Sequence, residues 1–211
     1  MSDNRGRFTW YELMTNDVDA GIDFYQKLTN WGHTSWEGPV HYKMFTLGEA
    51  PVAGVMALPD EVKAQGVPPH WLGYVHTPDV DATVAQAQEL GATIHARIDL
   101  PEVGRVAVIA DPQGAAIAAF QPENEPMPEA DPVPGMFSWH ELMTDDYEAA
   151  FEFYSALFGW EKMEAMDMGE MGIYQMFGRN GRQLGGMMNR PAEVPSCWAY
   201  YAMVEDVDAA A

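Results

Sequence analysis

The stretch FTWYELMTNDVDAGIDFY, residues 8–25, decides the fold of this chain because the chain contains it a second time. Residues 137–154 read FSWHELMTDDYEAAFEFY, and ten of the eighteen positions are identical. The motif YKMF at Tyr42 is followed later by YQMF at Tyr174, and Trp71 has a counterpart in Trp198. Several matched segments in the same order indicate a duplicated domain.

Each copy predicts a strand followed by a helix and then further strands. Aromatic and apolar residues fill 8–14, as in a strand. Asp17 then stands where a helix N-cap is expected, and in the second copy large apolar residues recur at helical spacing. The pattern predicts further elements, namely strands at 42–47, 52–57, 70–77, 93–97, 105–110 and 115–120 and a helix capped by Asp79. The order predicts an α+β fold of tandem domains, built of βαβββ units that form cupped mixed sheets with helices outside.

The repeat also predicts the domain boundaries. The first domain covers 7–122, a linker rich in proline and acidic residues covers 123–135, and the second domain covers 136–211. A linker of this composition is expected to be stiff and extended. By the period of the repeat, a full second copy would extend roughly 40 residues beyond Ala211. The second domain is therefore expected to hold its first unit and only the start of its second.

The charge of the chain limits its partners. Lys and Arg number 11 against 32 Asp and Glu, which gives a formal net charge of −21. A surface this acidic repels phosphate backbones and anionic lipids, so nucleic-acid and membrane-surface partners are not expected. The polar N-terminus lacks the apolar segment of a secretory signal, and the single cysteine, Cys197, excludes an intrachain disulfide. These features predict a cytoplasmic protein.

Three stretches carry a resemblance to a known superfamily: ELMTNDVDAGIDFY at 12–25, YVHTPDVDATVAQAQELGA at 74–92 and VIADPQGAAIAAFQP at 108–122. Together they resemble the vicinal oxygen chelate proteins, which include glyoxalase I, bleomycin-resistance proteins and extradiol dioxygenases. The tandem form further resembles a two-domain bacterial branch related to lactoylglutathione lyase. The resemblance implies the fold, but this fold hosts isomerases, dioxygenases and binding proteins alike.

The resemblance also implies where relatives hold a metal ion. In the first domain the three ligand places fall at Trp10, Leu72 and Ala118, and in the second domain the first two fall at Trp139 and Ala199. None of these side chains offers a lone pair suited to a divalent ion. We therefore predict no cofactor, with zinc, nickel or iron held by displaced ligands as the alternative.

Strand alternation predicts an aromatic-lined cup in place of a metal site. Trp10, Glu12 and Met14 share one strand face, and Glu12 and Glu141 are the candidate catalytic groups because a carboxylate deprived of water is suited to acid–base chemistry. The predicted ligand-binding residues are Trp10, Met14, His70, Leu72, Tyr74, His76, Ala118, Phe120 and Trp139. His140 is predicted to point away from the cup. The alternative interpretation makes the tryptophans core residues and the carboxylates structural.

Three functions remain open from the sequence. We favour a glyoxalase-like or bleomycin-resistance-like protein that binds a small organic molecule in a metal-depleted cup. The alternatives are a metal-dependent lyase, isomerase or dioxygenase that uses displaced ligands, and a non-catalytic interaction protein. Whether the chain is an enzyme and whether it forms a homodimer are both left open by the sequence.

Overall fold

The computed structural model describes residues 4–37, 41–124, 126 and 128–210. Within these residues the strands form two mixed sheets of eight and five strands, and the helices lie outside them. The predicted α+β class is confirmed. No helix among the described residues has both the length and the apolar character needed to cross a membrane.

The strands follow the predicted order with one addition. They are β1 Phe8–Thr15, β2 Gly32–Glu37, β3 His41–Leu47, β4 Ala50–Ala57, β5 His70–His76, β6 Thr93–Leu100, β7 Gly104–Ala110, β8 Ala116–Pro122, β9 Phe137–Thr144, β10 Glu161–Asp167, β11 Ile173–Arg179, β12 Arg182–Asn189 and β13 Cys197–Ala202. The helices are α1 Val18–Thr29, α2 Asp60–Ala64, α3 Val80–Glu89, α4 Tyr147–Phe158 and α5 Val207–Ala210, with a short 3-10 helix at Gly169–Met171. The βαβββ unit predicts a third strand after the helix without placing it, and the structure places it first, as β2, whose sequence GHTSWE is largely polar.

The helices α1 and α3 begin after the predicted capping residues Asp17 and Asp79, and α4 begins after a third aspartate, Asp146. The carboxylates of Asp17, Asp79 and Asp146 accept hydrogen bonds from backbone N–H groups in the first turns of α1, α3 and α4. These bonds satisfy amides that have no partner within the helix. The helices α1 and α4 end at Asn30 and Gly159, both in the left-handed conformation that closes a helix.

The chain divides into two compact units that combine parts of both repeats. The first unit contains residues 4–9, Gly73–Glu129 and Trp139–Tyr200, and the second contains Trp10–Leu72, Ala130–Ser138 and Tyr201–Ala210. In the first unit the strands run in the orders β5-β8-β7-β6 and β10-β11-β12-β9-β13, and in the second they run β2-β3-β4-β1. The domain boundaries at 122 and 136 stay a prediction about the repeats.

The core of the first unit is built around Trp160. This tryptophan is 1% exposed, and its indole nitrogen donates to the carbonyl of Gly6 at 2.7 Å. Its ring packs on Phe177 with centroids 4.4 Å apart. Beside it, Trp198 donates to the hydroxyl of Tyr154 at 3.0 Å. The bond from Trp160 to Gly6 attaches the segment before the first repeat to the core of the second repeat.

The core of the second unit repeats this arrangement. Trp31 is 2% exposed and donates to the carbonyl of Gly135 at 2.7 Å. Trp71 donates to the hydroxyl of Tyr25 at 2.6 Å, as Trp198 does to Tyr154 in the first unit. The segment before each repeat therefore accepts a hydrogen bond from a core tryptophan of the other repeat.

Aromatic stacking completes the correspondence. Phe137 lies on the ring of Tyr11 with centroids 3.9 Å apart, and Phe8 lies on the imidazole of His140 at 3.7 Å. Phe137 corresponds to Phe8 in the repeat, and His140 corresponds to Tyr11. His140 is buried and its Nδ1 donates to the carbonyl of Leu184 at 2.6 Å, so it belongs to the core.

Candidate functional site

The second repeat carries a hydrogen-bonded chain of three side chains on one sheet face. The indole nitrogen of Trp139 donates to the hydroxyl of Tyr174 at 2.7 Å. That hydroxyl in turn donates to Oε2 of Glu141 at 2.9 Å. Trp139 and Glu141 are two residues apart on β9 and so point to the same face, while Tyr174 reaches them from β11. We call this group the second Trp–Tyr–Glu cluster.

The first repeat carries the same group. The indole nitrogen of Trp10 donates to the hydroxyl of Tyr42 at 3.0 Å. Glu12 lies two residues after Trp10 on β1, is 6% exposed, and acts on Tyr42 through both its charge and a side-chain hydrogen bond. We call this group the first Trp–Tyr–Glu cluster. The third residue of the repeated motif is therefore a hydrogen-bond donor that positions a phenol.

Each tyrosine ring lies over a glycine that leaves room for it. A Cβ placed on Gly54 would meet the hydroxyl oxygen of Tyr42, and a Cβ placed on Gly186 would lie 2.1 Å from the ring of Tyr174. Gly54 pairs with Glu12 across β4 and β1, and Gly186 pairs with Glu141 across β12 and β9. The glycines at corresponding places of the motifs VAGVM and LGGMM, Gly54 and Gly186, therefore leave free the space that each phenol occupies. We call this feature the glycine floor.

The face that holds each cluster differs in exposure from the opposite face. In β9, Trp139, Glu141 and Met143 are half-buried, whereas His140 and Leu142 are buried. In β4, Met56 is half-buried, whereas Val55 is 1% exposed. In the second repeat the cluster lies on the more open face. In the first repeat Trp10 and Tyr42 are likewise half-buried, whereas Glu12 is buried beneath them at 6% exposure.

Burial and charge hold Tyr42 of the first cluster in the protonated form. Burial raises the pKa of Tyr42 well above its usual range, and the negative charge of Glu12 raises it further. A neutral phenol can donate to the adjacent carboxylate. In the second repeat, burial raises the pKa of the Cys197 thiol, and the charge of Glu141 adds to the effect. Cys197 is therefore a protonated neighbour of that carboxylate.

The structure brings together four more of the predicted residues. Tyr74 pairs with Ala118 across β5 and β8, and His76 pairs with Phe120. The rings of Tyr74 and Phe120 meet edge to face with centroids 6.1 Å apart. The side chains of this set lie on one sheet face, as predicted, because directly paired residues share a face.

Two other predicted residues lie in the second unit. Leu72 is 1% exposed and is a core residue by its burial. His70 lies at the start of β5, where its Nδ1 donates to the carbonyl of Pro68 at 2.8 Å. This bond holds the imidazole against the segment that leads into the strand.

Two arginines of the first repeat, Arg97 and Arg105, are paired with carboxylates at the surface. Arg105 contacts Asp81 at 2.7 Å and Asp99 at 2.9 Å, and Arg97 lies 3.7 Å from Asp81. All four side chains are about half exposed or more. These cations are neutralised on the surface and offer no attraction to an anionic ligand.

The residues present do not fit the metal that relatives hold. The implied ligand places carry Trp10, Leu72 and Ala118 in the first repeat and Trp139 and Ala199 in the second. Among the residues that the structure describes, no three or more His, Cys, Asp or Glu side chains converge as a metal site requires.

Sequence reasoning missed the two tyrosines, although a signal was present. The matched motifs YKMF and YQMF place Tyr42 and Tyr174 at corresponding positions of the repeats. No motif shows the strand pairing that brings them there. In the first repeat β3 pairs with β4, and β4 pairs with β1. In the second repeat β11 pairs with β12, and β12 pairs with β9. That topology delivers each phenol to its tryptophan and carboxylate.

Two surface hollows lie away from both clusters. One, of about 570 Å³, is lined by residues at the ends of β6, β7 and β8, including Asp99, Glu102 and Arg105. The other, of about 360 Å³, lies in the second unit beside Asn30 and Gly135. Both are shallow and include none of the predicted site residues, so we base the candidate site on the side-chain chemistry of the clusters.

Comparisons with known proteins place this site in context. A glyoxalase-like domain family matches residues 10–120. The chain is 31% identical over 214 residues to "Putative glyoxylase CFP32" of Mycobacterium tuberculosis, an alignment that covers 98% of this chain and 80% of that protein. It is 33% identical over 181 residues to "Anthracycline biosynthesis protein DauV" of Streptomyces sp. strain C5, covering 80% of this chain and 65% of that one.

Among solved structures, a Mn(II)-bound glyoxalase from Novosphingobium aromaticivorans aligns with a TM-score of 0.60 and 16% identity. The alignment covers 92% of this chain and 63% of that one, and at this identity it bears on the fold alone. The resemblance to the vicinal oxygen chelate superfamily is confirmed by the family match, the relatives and this fold.

Proposed function

The chain belongs to the glyoxalase-like domain family, and we propose that it binds a small organic molecule on the open sheet face of each repeat. The observation that carries the proposal is the recurrence of the Trp–Tyr–Glu cluster with its glycine floor in both repeats. Polar groups placed on an otherwise apolar concave surface are typical of small-molecule sites.

The chemistry of the cluster suggests the kind of ligand. A carboxylate accepts hydrogen bonds, so Glu12 and Glu141 favour a ligand that donates from a hydroxyl or an amino group. The neighbouring thioethers of Met14 and Met143 favour an apolar body. The net charge of −21 disfavours an anionic ligand. We expect a neutral or cationic molecule that carries a donor on an apolar skeleton.

The names of relatives refer to small-molecule chemistry and do not specify the charge or shape of a ligand. DauV is named for anthracycline biosynthesis, which is small-molecule chemistry. CFP32 is named for glyoxylase activity, which also acts on a small molecule. In this chain Glu12 and Glu141 remain the proposed acid–base groups if a reaction accompanies binding.

The test uses 2-naphthol, a neutral hydroxyl donor on an apolar skeleton, followed by intrinsic tryptophan fluorescence. We expect saturable binding that weakens about tenfold in Glu141→Gln and in Glu12→Gln, since a hydrogen bond to a charged group contributes about 1.5–3 kcal/mol. Glu170→Gln is the matched control, because Glu170 is an exposed carboxylate of the same repeat outside the cluster.

Folding of each variant is checked by circular dichroism and thermal unfolding. Gly186→Ala supplies a second test, because the added methyl group must displace the ring of Tyr174 while both polar partners remain. If 2-naphthol does not bind, or if it binds equally well to all folded variants, the proposal is wrong.

A further inference from the structure

Each cluster lies in a row of side chains that crosses four strands. In the second repeat, Met143 pairs with Met188, Met188 pairs with Tyr174, and Tyr174 pairs with Met166. Directly paired residues share a sheet face, so these four side chains stand side by side on the face of the second cluster. We call them the second row.

The first repeat has a corresponding row with a different end. Met14 pairs with Met56, and Tyr42 pairs with Trp36. Tyr42 lies diagonally beside Gly54 and therefore next to Met56 along β4. The rings of Trp36 and Tyr42 meet edge to face, 6.3 Å apart and at 86°. This first row thus ends in a half-buried indole where the second row ends in the thioether of Met166.

We infer that the two repeats hold non-equivalent sites, and that Trp36 and Met166 set their ligand preference. The inference rests on the proposed function. An indole standing almost perpendicular to a phenol makes a rigid corner that favours a planar aromatic ligand through ring contacts. Met166 is 48% exposed and has an unbranched, polarizable side chain, so the second row adapts to a bulky, non-planar apolar body.

The charge pattern allows both ligands to use the same polar anchor. Glu12 and Glu141 occupy corresponding places, and each takes part in a hydrogen bond with its own tyrosine. The preference is therefore assigned to the outer strand of each row, β2 in the first repeat and β10 in the second. A substitution at Trp36 or at Met166 should therefore change the ligand preference of its own row.

The test compares two probes with the same carbon skeleton and one hydroxyl group at the same position. The phenolic hydroxyl of 2-naphthol is the stronger donor to either carboxylate, so the readout is the difference between the two rows. 2-Naphthol is planar, and decahydro-2-naphthol is its saturated, non-planar counterpart. Binding is followed by NMR with 13C-methyl methionine, because Met14 and Met56 report on the first row and Met143 and Met188 on the second. Met187 is the internal control, since it is 0% exposed on the opposite face of β12.

In the unaltered chain, we expect Met14 and Met56 to give a dissociation constant about three- to tenfold lower for 2-naphthol than for its saturated counterpart. At Met143 and Met188 we expect a preference for 2-naphthol at least about threefold smaller than that at Met14 and Met56. Met166→Trp, at an exposed place that tolerates a larger side chain, should give the second row the planar preference. Trp36→Met should remove it from the first.

Identical preferences at the two rows, or a preference at Met143 and Met188 that Met166→Trp leaves unchanged, would overturn the inference while leaving the proposed function intact. The absence of saturable shifts at all four reporter methyl groups would overturn both. A shift at Met187 as large as that at Met188 would show that the probes perturb the fold, and the assignment to the open face would then be wrong.

Discussion

The two repeats have the same hydrogen-bonded cluster but different surroundings. Trp10, Tyr42 and Glu12 correspond to Trp139, Tyr174 and Glu141, and in both repeats the indole donates to the phenol. The row around the cluster ends in Trp36 in one repeat and in Met166 in the other. The comparison teaches that the duplication kept the polar anchor and the glycine floor, while the outer strand was free to diverge.

The cores of the two units share one hydrogen bond and differ in another. Trp31 and Trp160 each donate to the carbonyl of a glycine in the segment before the other repeat. Tyr154 makes one bond more: its hydroxyl donates to the buried carboxylate of Asp111 at 2.9 Å. This carboxylate joins the second half of the first repeat to the first half of the second within one compact unit.

The largest effect is expected from truncating the core tryptophans. Trp160→Ala should lower the free energy of unfolding by about 3–5 kcal/mol, because it leaves a cavity and an unsatisfied carbonyl at Gly6. Trp31→Ala should cost a similar amount if the repeats are equivalent in the core. Urea unfolding measures both, and Phe24→Ala, at a position 59% exposed, is the control. A loss below 1 kcal/mol for either variant would break the comparison.

A smaller effect should distinguish the two core tyrosines. Tyr154→Phe removes the donor to Oδ2 of Asp111, whose Oδ1 keeps two backbone amides, and the acceptor of the Trp198 indole N–H, and it should cost about 2–3 kcal/mol. Tyr25→Phe removes the hydroxyl that accepts from Trp71, and it should cost about 1 kcal/mol. Equal losses in urea unfolding would mean that the Asp111 bond contributes nothing to stability.

The pH dependence of stability should separate His140 from its counterpart Tyr11. Burial lowers the pKa of His140 to about 4, against 6.5 in an exposed histidine. The unfolded chain binds the proton more tightly, so stability is complete above pH 6.5 and is lost as the pH falls towards 4. We expect this one group to remove about 2 kcal/mol between pH 7 and pH 5.

The measurement is urea unfolding at both pH values for the unaltered chain and for His140→Gln. The difference between the two slopes isolates the histidine from the many carboxylates that also titrate. If His140→Gln keeps the full pH dependence, the imidazole is not buried in its neutral form. Tyr11→Phe should leave the slope unchanged, because its phenol does not titrate in this range.

Much of the fold could be predicted because its signals are local. Asp17 and Asp79 are N-cap residues that indicate where α1 and α3 begin. The alternation of side chains along β1 places Trp10 and Glu12 on one face. The position of β2 was not predicted, because its largely polar sequence shows no alternation of apolar and polar residues. Composition alone does not separate the methionines between 163 and 188 by burial: Met176 and Met187 are buried, whereas Met166 and Met171 are exposed.

The site was only half predictable for a different reason. Trp139 and Glu141 lie two residues apart, so strand periodicity relates them. Tyr174 is more than thirty residues away and reaches them only because β11 pairs with β12 and β12 with β9. Pairing across strands depends on register, and a shift of one residue would turn the phenol to the other face.

The sequence by itself determined the duplication, the unit order, the acidic surface and the loss of metal-binding side chains from the places implied by the resemblance, because each is written in residue identity or spacing. Only the tertiary structure decided that a phenol completes each cluster, that a glycine makes room for it, and that the segment before one repeat seals the core of the other. These are contacts between residues far apart in the chain, and they exist only once strand register and packing bring them together.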